Sequence, residues 1–214
     1  MTTFGADEAG RGPALGSMFA GAVAVADLDD LPDGVADSKQ LTRARRAELY
    51  EQLCEDDRIR TAVAEIPTGR IDDPETDMNT LTVEAQAAAI GQVVSAGDEG
   101  VVDACDTSES RFARRVADAV PATIEITAEH GADDEYRIVA AASIVAKVTR
   151  DRHVDALAER YGAVGSGYPS DPATREFLED YVAEHGELPE CARESWGTCT
   201  DVLAAAEQTG LDGF

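Results

Sequence analysis

The stretch TFGADEAGRGPALGSMFAGAVAVA, residues 3–26, predicts two consecutive β-strands joined by a glycine-rich loop. The first strand, Thr3–Asp7, ends at a pair of acids, and the second, Met18–Ala26, is apolar along its whole length. Two strands without an intervening helix form an antiparallel, hairpin-like pair. A sheet that contains this pair is therefore predicted to be mixed, with its second strand buried.

The loop between these strands combines residue types that favour opposite ligands. Gly10, Gly12 and Gly16 allow the backbone to lie close to a phosphate, because glycine carries no side chain to keep the ligand away. Asp7 and Glu8, directly before the loop, would repel the same phosphate. A ligand of this segment must therefore be compatible both with the glycine backbone and with the two carboxylates.

Beyond residue 26, predicted strands and helices alternate along the chain. The predicted strands are Ile59–Ile66, Gly100–Asp106 and Ala122–His130, and the predicted helices are Thr42–Cys54, Thr80–Val94, Ser108–Val120, Tyr136–Tyr161, Ala173–Glu184 and Ala192–Glu207. This alternation is typical of an α/β fold in which helices cover a sheet.

The composition is strongly acidic. The 214 residues include 43 Asp and Glu against 18 Lys and Arg, of which only Lys39 and Lys147 are lysines, and the formal net charge is −25. Such a surface suits molar salt, where the Debye length falls to about 3 Å, and it predicts a halophilic source. The chain has no apolar run of membrane-spanning length, no signal-peptide pattern and no paired cysteines, so we expect a cytoplasmic protein without structural zinc.

Four acids follow predicted strands and could meet at one edge of the sheet. Asp7, Glu8 and Asp103 lie at strand ends, and Asp133 follows the last strand. Neighbouring strand residues face opposite sides, so Asp7 and Glu8 can share a site only if the strand bends. Clustered carboxylates suit Mg²⁺ or Mn²⁺, and with the glycine loop they indicate a phosphodiester bound together with its metals. The alternative is that these acids belong to the solvated acidic surface.

Five ordered blocks of sequence resemble the ribonuclease HII family, most closely its archaeal branch. The blocks are DEAGRGPALG (7–16), DSKQLT (37–42), DACD with ESRFAR (103–114), ADDEYRIVAAASIVAKVTRDR (132–152) and GSGYPSDPATREFL (165–178). The resemblance implies a ribonuclease H-like fold, with a five-stranded mixed sheet, flanking helices and a C-terminal helical segment. It divides the chain into a catalytic domain (1–165), a helical segment packed on it (166–207) and a tail (208–214).

The resemblance also implies an endonuclease that cleaves RNA in RNA–DNA hybrids and cuts 5′ of single ribonucleotides in DNA. Its catalytic and metal-binding residues would be Asp7, Glu8, Asp103 and Asp133, holding two Mg²⁺ or Mn²⁺ ions. Asp106 and Asp134 would be neighbours without that role. Three positions, Ser17, Gly131 and Ile138, depart from the family pattern. At Gly131 the family's usual lysine beside Asp133 is replaced, which removes a cation near the site and is consistent with salt adaptation.

The same resemblance implies how substrate is bound. Gly10, Arg11 and Gly12 match a segment whose backbone reads the ribose 2′-hydroxyl, and Tyr168 matches a tyrosine that stacks on the sugar. Lys39 would contact a phosphate. Lys147 is either a substrate-binding residue or a helix-face partner of Ser143.

The C-terminal residues QTGLDGF resemble the sliding-clamp-binding box of archaeal replication proteins. Gln208, Leu211 and Phe214 have the required spacing, although the second aromatic residue of such a box is missing. The expected partners are therefore RNA–DNA hybrids, ribonucleotide-containing DNA and a sliding clamp, bound by a monomer with no membrane association.

The residues alone suggest three alternatives to a nuclease, and each meets an objection. A nucleotide-binding enzyme would need a helix directly after the glycines, where a strand is predicted. A hydrolase using Ser143 and Lys147 lacks any sign of an oxyanion hole. A non-catalytic clamp-binding module would not need the four acids.

Overall fold

The computed structural model describes residues 2–35 and 41–211, the last three of these by their main chain alone. It contains a five-stranded sheet with the strand order β3-β2-β1-β4-β5. The strands are β1 (Thr3–Ala9), β2 (Met18–Val25), β3 (Ile59–Ile66), β4 (Glu99–Asp103) and β5 (Glu125–Glu129). β1 runs antiparallel to β2 and parallel to β4, and β4 runs parallel to β5. The predicted mixed sheet is confirmed.

The stretch quoted at the outset forms the centre of this sheet. β1 pairs with β2 from Thr3, opposite Val25, to Ala9, opposite Phe19. All eight residues of β2 are buried, as its apolar sequence predicts. β1 extends two residues beyond the predicted end at Asp7, so Asp7 and Glu8 both lie within a paired strand.

Eight helices accompany the sheet in the described residues, and four of them begin at a residue whose side chain caps the first turn. They are α1 (Arg43–Glu55), α2 (Thr68–Ile71), α3 (Met78–Ile90), α4 (Glu109–Ala119), α5 (Ala132–Glu135), α6 (Arg137–Tyr161), α7 (Pro172–His185) and α8 (Gly197–Leu211), with a 3₁₀ turn at Leu28–Asp30. Thr42 caps α1 by accepting from the N–H of Arg45, and Ser108 caps α4 in the same way. None of the described helices is long and apolar enough to cross a membrane.

Two glycines let α6 lie directly against the sheet. A Cβ on Gly5 of β1 would stand 2.6 Å from the carbonyl carbon of Ile138, and one on Gly21 of β2 would stand 2.5 Å from the carbonyl oxygen of Ala142. Any side chain at either position would push the helix away. The backbone of α6 can therefore pack on β2 and on β1, the strand that carries Asp7 and Glu8.

The chain divides into two compact units. The first comprises residues 1–9, 19–65 and 77–150, and the second comprises 10–18, 66–76 and 151–214. The first has an apolar core in which the buried face of α6, including Val139 and Val145, packs with β2 and α1. The second has its own core around Leu15, Leu178 and Val182. The predicted boundaries at residues 165 and 207 remain a prediction.

Candidate active site

Three carboxylates of the first unit meet beside the end of β4. Asp7 and Glu8 come from β1 and Asp103 is the last residue of β4. The pairing of β1 with β4 ends at Ala6, opposite Val102, so the next residues are free to turn their side chains into a shared space. One carboxylate oxygen from each of the three acids lies within 4.8 Å of the others.

The strand does not have to end for Asp7 and Glu8 to share this site. β1 remains paired with β2 through Ala9. Asp7 is 5% exposed, and its Oδ1 accepts a hydrogen bond of 2.7 Å from the N–H of Glu8. The short Asp7 side chain and the longer Glu8 side chain thus reach one region from adjacent positions.

Gln86 of α3 holds two of these acids, and sequence reasoning missed it. Its Nε2 donates to Oε2 of Glu8 at 2.8 Å and to the carbonyl oxygen of Asp103 at 3.0 Å. Gln86 is completely buried. The available signal was a single amide within the otherwise apolar helix face AQAAAI, a position where a polar side chain needs buried partners.

Asp133 is tied to the same region through α5 and α6. The N–H of Ala132 donates to Oδ1 of Asp103 at 2.8 Å, which places the start of α5 against the end of β4. Asp133 is 6% exposed, and Nζ of Lys147 lies 3.7 Å from its Oδ2. Lys147 is therefore an ion-pair partner of Asp133.

The buried cluster changes the acidity of Asp7. Burial raises the pKa of the Asp7 carboxyl from 3.8 to about 7, because the charged form loses its hydration. The nearby Ser143 hydroxyl and the positive charge of Lys147 both lower this pKa. The negative charges of Asp103 and Asp133 raise it.

This donor set fits a hard divalent cation. Every candidate ligand is a carboxylate oxygen, the ligand type that Mg²⁺ and Mn²⁺ prefer. Burial raises the pKa of Asp7, and the negative charges of Asp103 and Asp133 raise it further. A divalent cation held by these carboxylates would offset both effects.

The two acids set aside on sequence grounds lie in different surroundings. Asp106 is buried but its carboxylate binds the guanidinium of Arg111, with Arg115 3.8 Å away. The Arg111 hydrogen bonds lower the pKa of Asp106 to about 2. Asp134 is exposed. Among the described residues, neither joins the group of three carboxylates.

The predicted sugar-reading residues lie together in the second unit. Gly10 has a φ of +88°, a left-handed conformation that favours glycine. A Cβ on Gly12 would stand 3.7 Å from Cε1 of Tyr168, so that ring lies against the loop. Tyr168 is 47% exposed, although it is a large aromatic side chain. An open aromatic face beside a glycine backbone is suited to stacking on a sugar or base.

The glycine loop, defined here as residues 10–16, is held by a segment that sequence reasoning did not connect with it. The N–H groups of Ala14 and Leu15 donate to the carbonyl oxygen of Gly167, next to Tyr168. Arg193 and Trp196 also donate to carbonyl oxygens of the loop. Arg193 gave no local signal, because a buried arginine and a surface arginine look alike in a sequence.

Four remaining predicted residues cannot be placed in a site. Lys39 and Phe214 lie outside the described residues, and the side chain of Leu211 is not described. Gln208 is exposed on α8. Their roles stay predictions.

Known proteins resemble this chain over almost its whole length. The family model for Ribonuclease HII matches residues 4–199. The ribonuclease HII of Halobacterium salinarum is 65% identical over 100% of both chains. The solved ribonuclease H2 from Pyrococcus horikoshii OT3 is 37% identical with a TM-score of 0.90, covering 97% of this chain and 100% of its own. The ribonuclease HII solved in a PCNA complex from Archaeoglobus fulgidus is 36% identical with a TM-score of 0.83, covering 94% and 96%.

Proposed function

The chain belongs to the ribonuclease HII family, and from this premise we propose that it cleaves RNA in RNA–DNA hybrids and cuts DNA 5′ of single embedded ribonucleotides. Family membership makes it an endoribonuclease of the ribonuclease H type with an archaeal, halophile-like sequence. One observation carries the finer proposal: the meeting of Asp7, Glu8 and Asp103 with their oxygens within 4.8 Å. A solvated acidic surface would not bring three carboxylates together around a buried aspartate.

The cofactor proposed for this site is a pair of Mg²⁺ or Mn²⁺ ions, held by Asp7, Glu8, Asp103 and Asp133. When bound, such ions supply an activated water and stabilisation of the leaving 3′-oxygen. Asp7 is the most buried of the three clustered acids, and the charges of both Asp103 and Asp133 act on its pKa, so Asp7 would hold the ions together with these neighbours. The products would then carry 5′-phosphate and 3′-hydroxyl ends.

The other residues of the first unit orient the ligands. Gln86 fixes the carboxylate of Glu8 and the main chain at Asp103, so that the two donors keep their separation. Lys147 partly balances the charge of Asp133. Because an ammonium group has three donors and this side chain is 33% exposed, Lys147 can also contact a substrate phosphate. Lys39 is proposed as a second phosphate contact.

Recognition of the ribonucleotide is assigned to the second unit. The 2′-hydroxyl is the group that distinguishes RNA from DNA at one nucleotide. We assign its recognition to the backbone of Gly10, Arg11 and Gly12, and to the ring of Tyr168 that lies against Gly12. The proposed cellular substrates are misincorporated ribonucleotides and RNA primers.

The C-terminal tail is proposed to bind a sliding clamp. The relative from Archaeoglobus fulgidus was solved as a PCNA:RNase HII complex, which supports this assignment. In this chain Gln208 and Leu211 of the predicted box belong to the last turn of α8, and Gln208 is exposed. Gly210 and Gly213 each cost about 1 kcal/mol of helix preference relative to alanine, and we therefore expect weak binding.

A matched pair of variants tests the proposed site. Asp103→Asn removes one clustered carboxylate, and Asp106→Asn makes the same change three residues away, where the carboxylate binds Arg111. We expect Asp103→Asn to abolish cleavage of an RNA–DNA hybrid in Mn²⁺, and Asp106→Asn to retain most of it. Circular dichroism of both variants controls for folding. Equal losses of activity in two folded variants would contradict the assignment.

A further inference from the structure

Arg193 is the largest fully buried side chain of the described residues, and three of its N–H groups point at the glycine loop. Its Nε donates to the carbonyl oxygen of Gly16 at 2.9 Å, its Nη1 to that of Arg11 at 3.0 Å and its Nη2 to that of Gly10 at 2.5 Å. Burying a guanidinium is costly unless its donors are satisfied. These bonds therefore tie the loop to the buried arginine.

Neighbouring groups complete the contact. The indole N–H of Trp196 donates to the carbonyl oxygen of Gly12 at 3.1 Å, and the N–H of Arg193 donates to that of Ala14 at 2.8 Å. The guanidinium of Arg193 also lies over the Trp196 ring, 4.9 Å from its centroid. Asp72 holds the segment between them by accepting 2.9 Å bonds from the N–H groups of Glu194 and Ser195.

These bonds determine the direction of the loop's own donors. In a planar trans peptide the C=O of one residue and the N–H of the next point in opposite directions. Holding the carbonyls of Gly10 and Arg11 against Arg193 therefore directs the N–H groups of Arg11 and Gly12 away from it. Gly12 also lies against the Tyr168 ring, so the same loop is bonded to Arg193 and in contact with the tyrosine.

We propose that Arg193, together with Trp196, is a positioning residue that sets the enzyme's discrimination between ribose and deoxyribose. It acts through the glycine loop, by holding the carbonyls so that the backbone N–H groups keep the orientation that reads a 2′-hydroxyl. This proposal rests on the proposed function, which assigns that reading to Gly10–Gly12. Lysine cannot replace arginine here, because one ammonium lacks the planar fork that reaches three carbonyls.

Two variants separate positioning from stability. Arg193→Lys keeps the charge and loses the fork, and Trp196→Phe keeps an aromatic ring and loses the N–H donor to Gly12. Arg160→Lys is the matched control, because Arg160 belongs to the same unit but is exposed and pairs with Glu190. The assay measures the affinity for a duplex with one ribonucleotide relative to the same duplex with a 2′-deoxynucleotide at that position, in Ca²⁺ to prevent cleavage. A Mn²⁺ titration reports on the acid cluster separately.

We expect the wild type and Arg160→Lys to prefer the ribonucleotide duplex to the same degree. Trp196→Phe should reduce that preference about fivefold, the equivalent of one hydrogen bond, and Arg193→Lys by about tenfold or more. Mn²⁺ affinity should stay unchanged in all variants. A general loss of structure would instead weaken binding of both duplexes equally and leave the ratio unchanged.

Two results would overturn the inference. The first is a folded Arg193→Lys variant that prefers the ribonucleotide duplex as strongly as the wild type does. The second is a Trp196→Phe variant that keeps the wild-type preference, and this result decides the matter if Arg193→Lys does not fold. A wild-type enzyme that shows no preference at all would refute the proposed function instead, and with it the premise of the positioning role.

Discussion

Asp7→Asn should stabilise the metal-free protein while it abolishes catalysis. The pKa of Asp7 is raised from 3.8 to about 7, chiefly by burial. The folded protein therefore binds a proton at Asp7 that the unfolded chain releases between these two pH values. Stability falls as the pH rises through this interval, and the whole penalty is present above pH 7.

The structure sets the size of this penalty. The interval from 3.8 to about 7 corresponds to an upper limit of about 4 kcal/mol, at about 1.4 kcal/mol per pH unit. Asparagine keeps the shape of aspartate and can still accept the 2.7 Å bond from the N–H of Glu8, but it carries no charge at any pH. We expect Asp7→Asn to recover roughly 1–3 kcal/mol at pH 8 and almost nothing at pH 4.

Urea unfolding in EDTA and constant molar KCl, repeated from pH 4 to pH 8, measures this difference. Asp106→Asn is the control, and we expect it to lower the free energy of unfolding at neutral pH. Arg111 lowers the pKa of Asp106 to about 2, so the charge of Asp106 stabilises the folded state. Adding Mn²⁺ should stabilise the wild type more than Asp7→Asn. An Asp7→Asn protein that is no more stable than the wild type at pH 8, or equally more stable at every pH, would refute the reasoning.

Three further predictions follow from the rest of the molecule. Tyr168→Ala should lose most cleavage of a duplex with one ribonucleotide and less on a long RNA–DNA hybrid, since the exposed ring adjoins Gly12; equal losses on both substrates in steady-state assays would contradict this. Cleavage rate and thermal stability should both rise with KCl into the molar range, because a net charge of −25 needs screening; a protein that is fastest and most stable at low salt would argue against it. Deleting residues 208–214 should abolish binding to the cognate sliding clamp in a calorimetric titration and leave cleavage of short duplexes unchanged, whereas binding that survives the deletion would exclude the tail.

Local signals in the sequence predicted much of the fold. The bounds of β3 were predicted without error, and the helix predicted to start at Thr42 has Thr42 as its cap, because alternation and capping act over a few residues. The start of α3 was missed by two residues: its cap is Asp77, one of many aspartates in an acidic chain. Because the chain contains so many acids, the sequence alone does not distinguish an aspartate that caps a helix from one on the surface.

Contacts between distant segments could not be predicted in this way. The last helix was expected to begin at Ala192, but it begins at Gly197. Ala192 forms an isolated β-bridge with Leu15, and Arg193 beside it binds the glycine loop. Helical periodicity in the sequence cannot report partners some 180 residues away.

The candidate site was predicted to a similar extent. The strand ends and the family resemblance indicated Asp7, Glu8 and Asp103, and the structure brings them together. Asp7 and Glu8 share the site while β1 stays paired with β2 through Ala9, and the expected bend of the strand stays a prediction. Gln86 and Arg193 were missed because their importance lies in what they hold in place, and that depends on the folded structure.

Mapping the products of a duplex with one ribonucleotide tests the central claim most directly. The strand is labelled at its 5′ end in one sample and at its 3′ end in another, and it is incubated in molar KCl with Mg²⁺, with Mn²⁺ or with EDTA. We predict one metal-dependent cut on the 5′ side of the ribonucleotide, leaving a 3′-hydroxyl on one fragment and a 5′-phosphate on the other. A cut on the 3′ side that persists in EDTA and leaves a 2′,3′-cyclic phosphate would contradict the account, as would an intact strand under all three conditions.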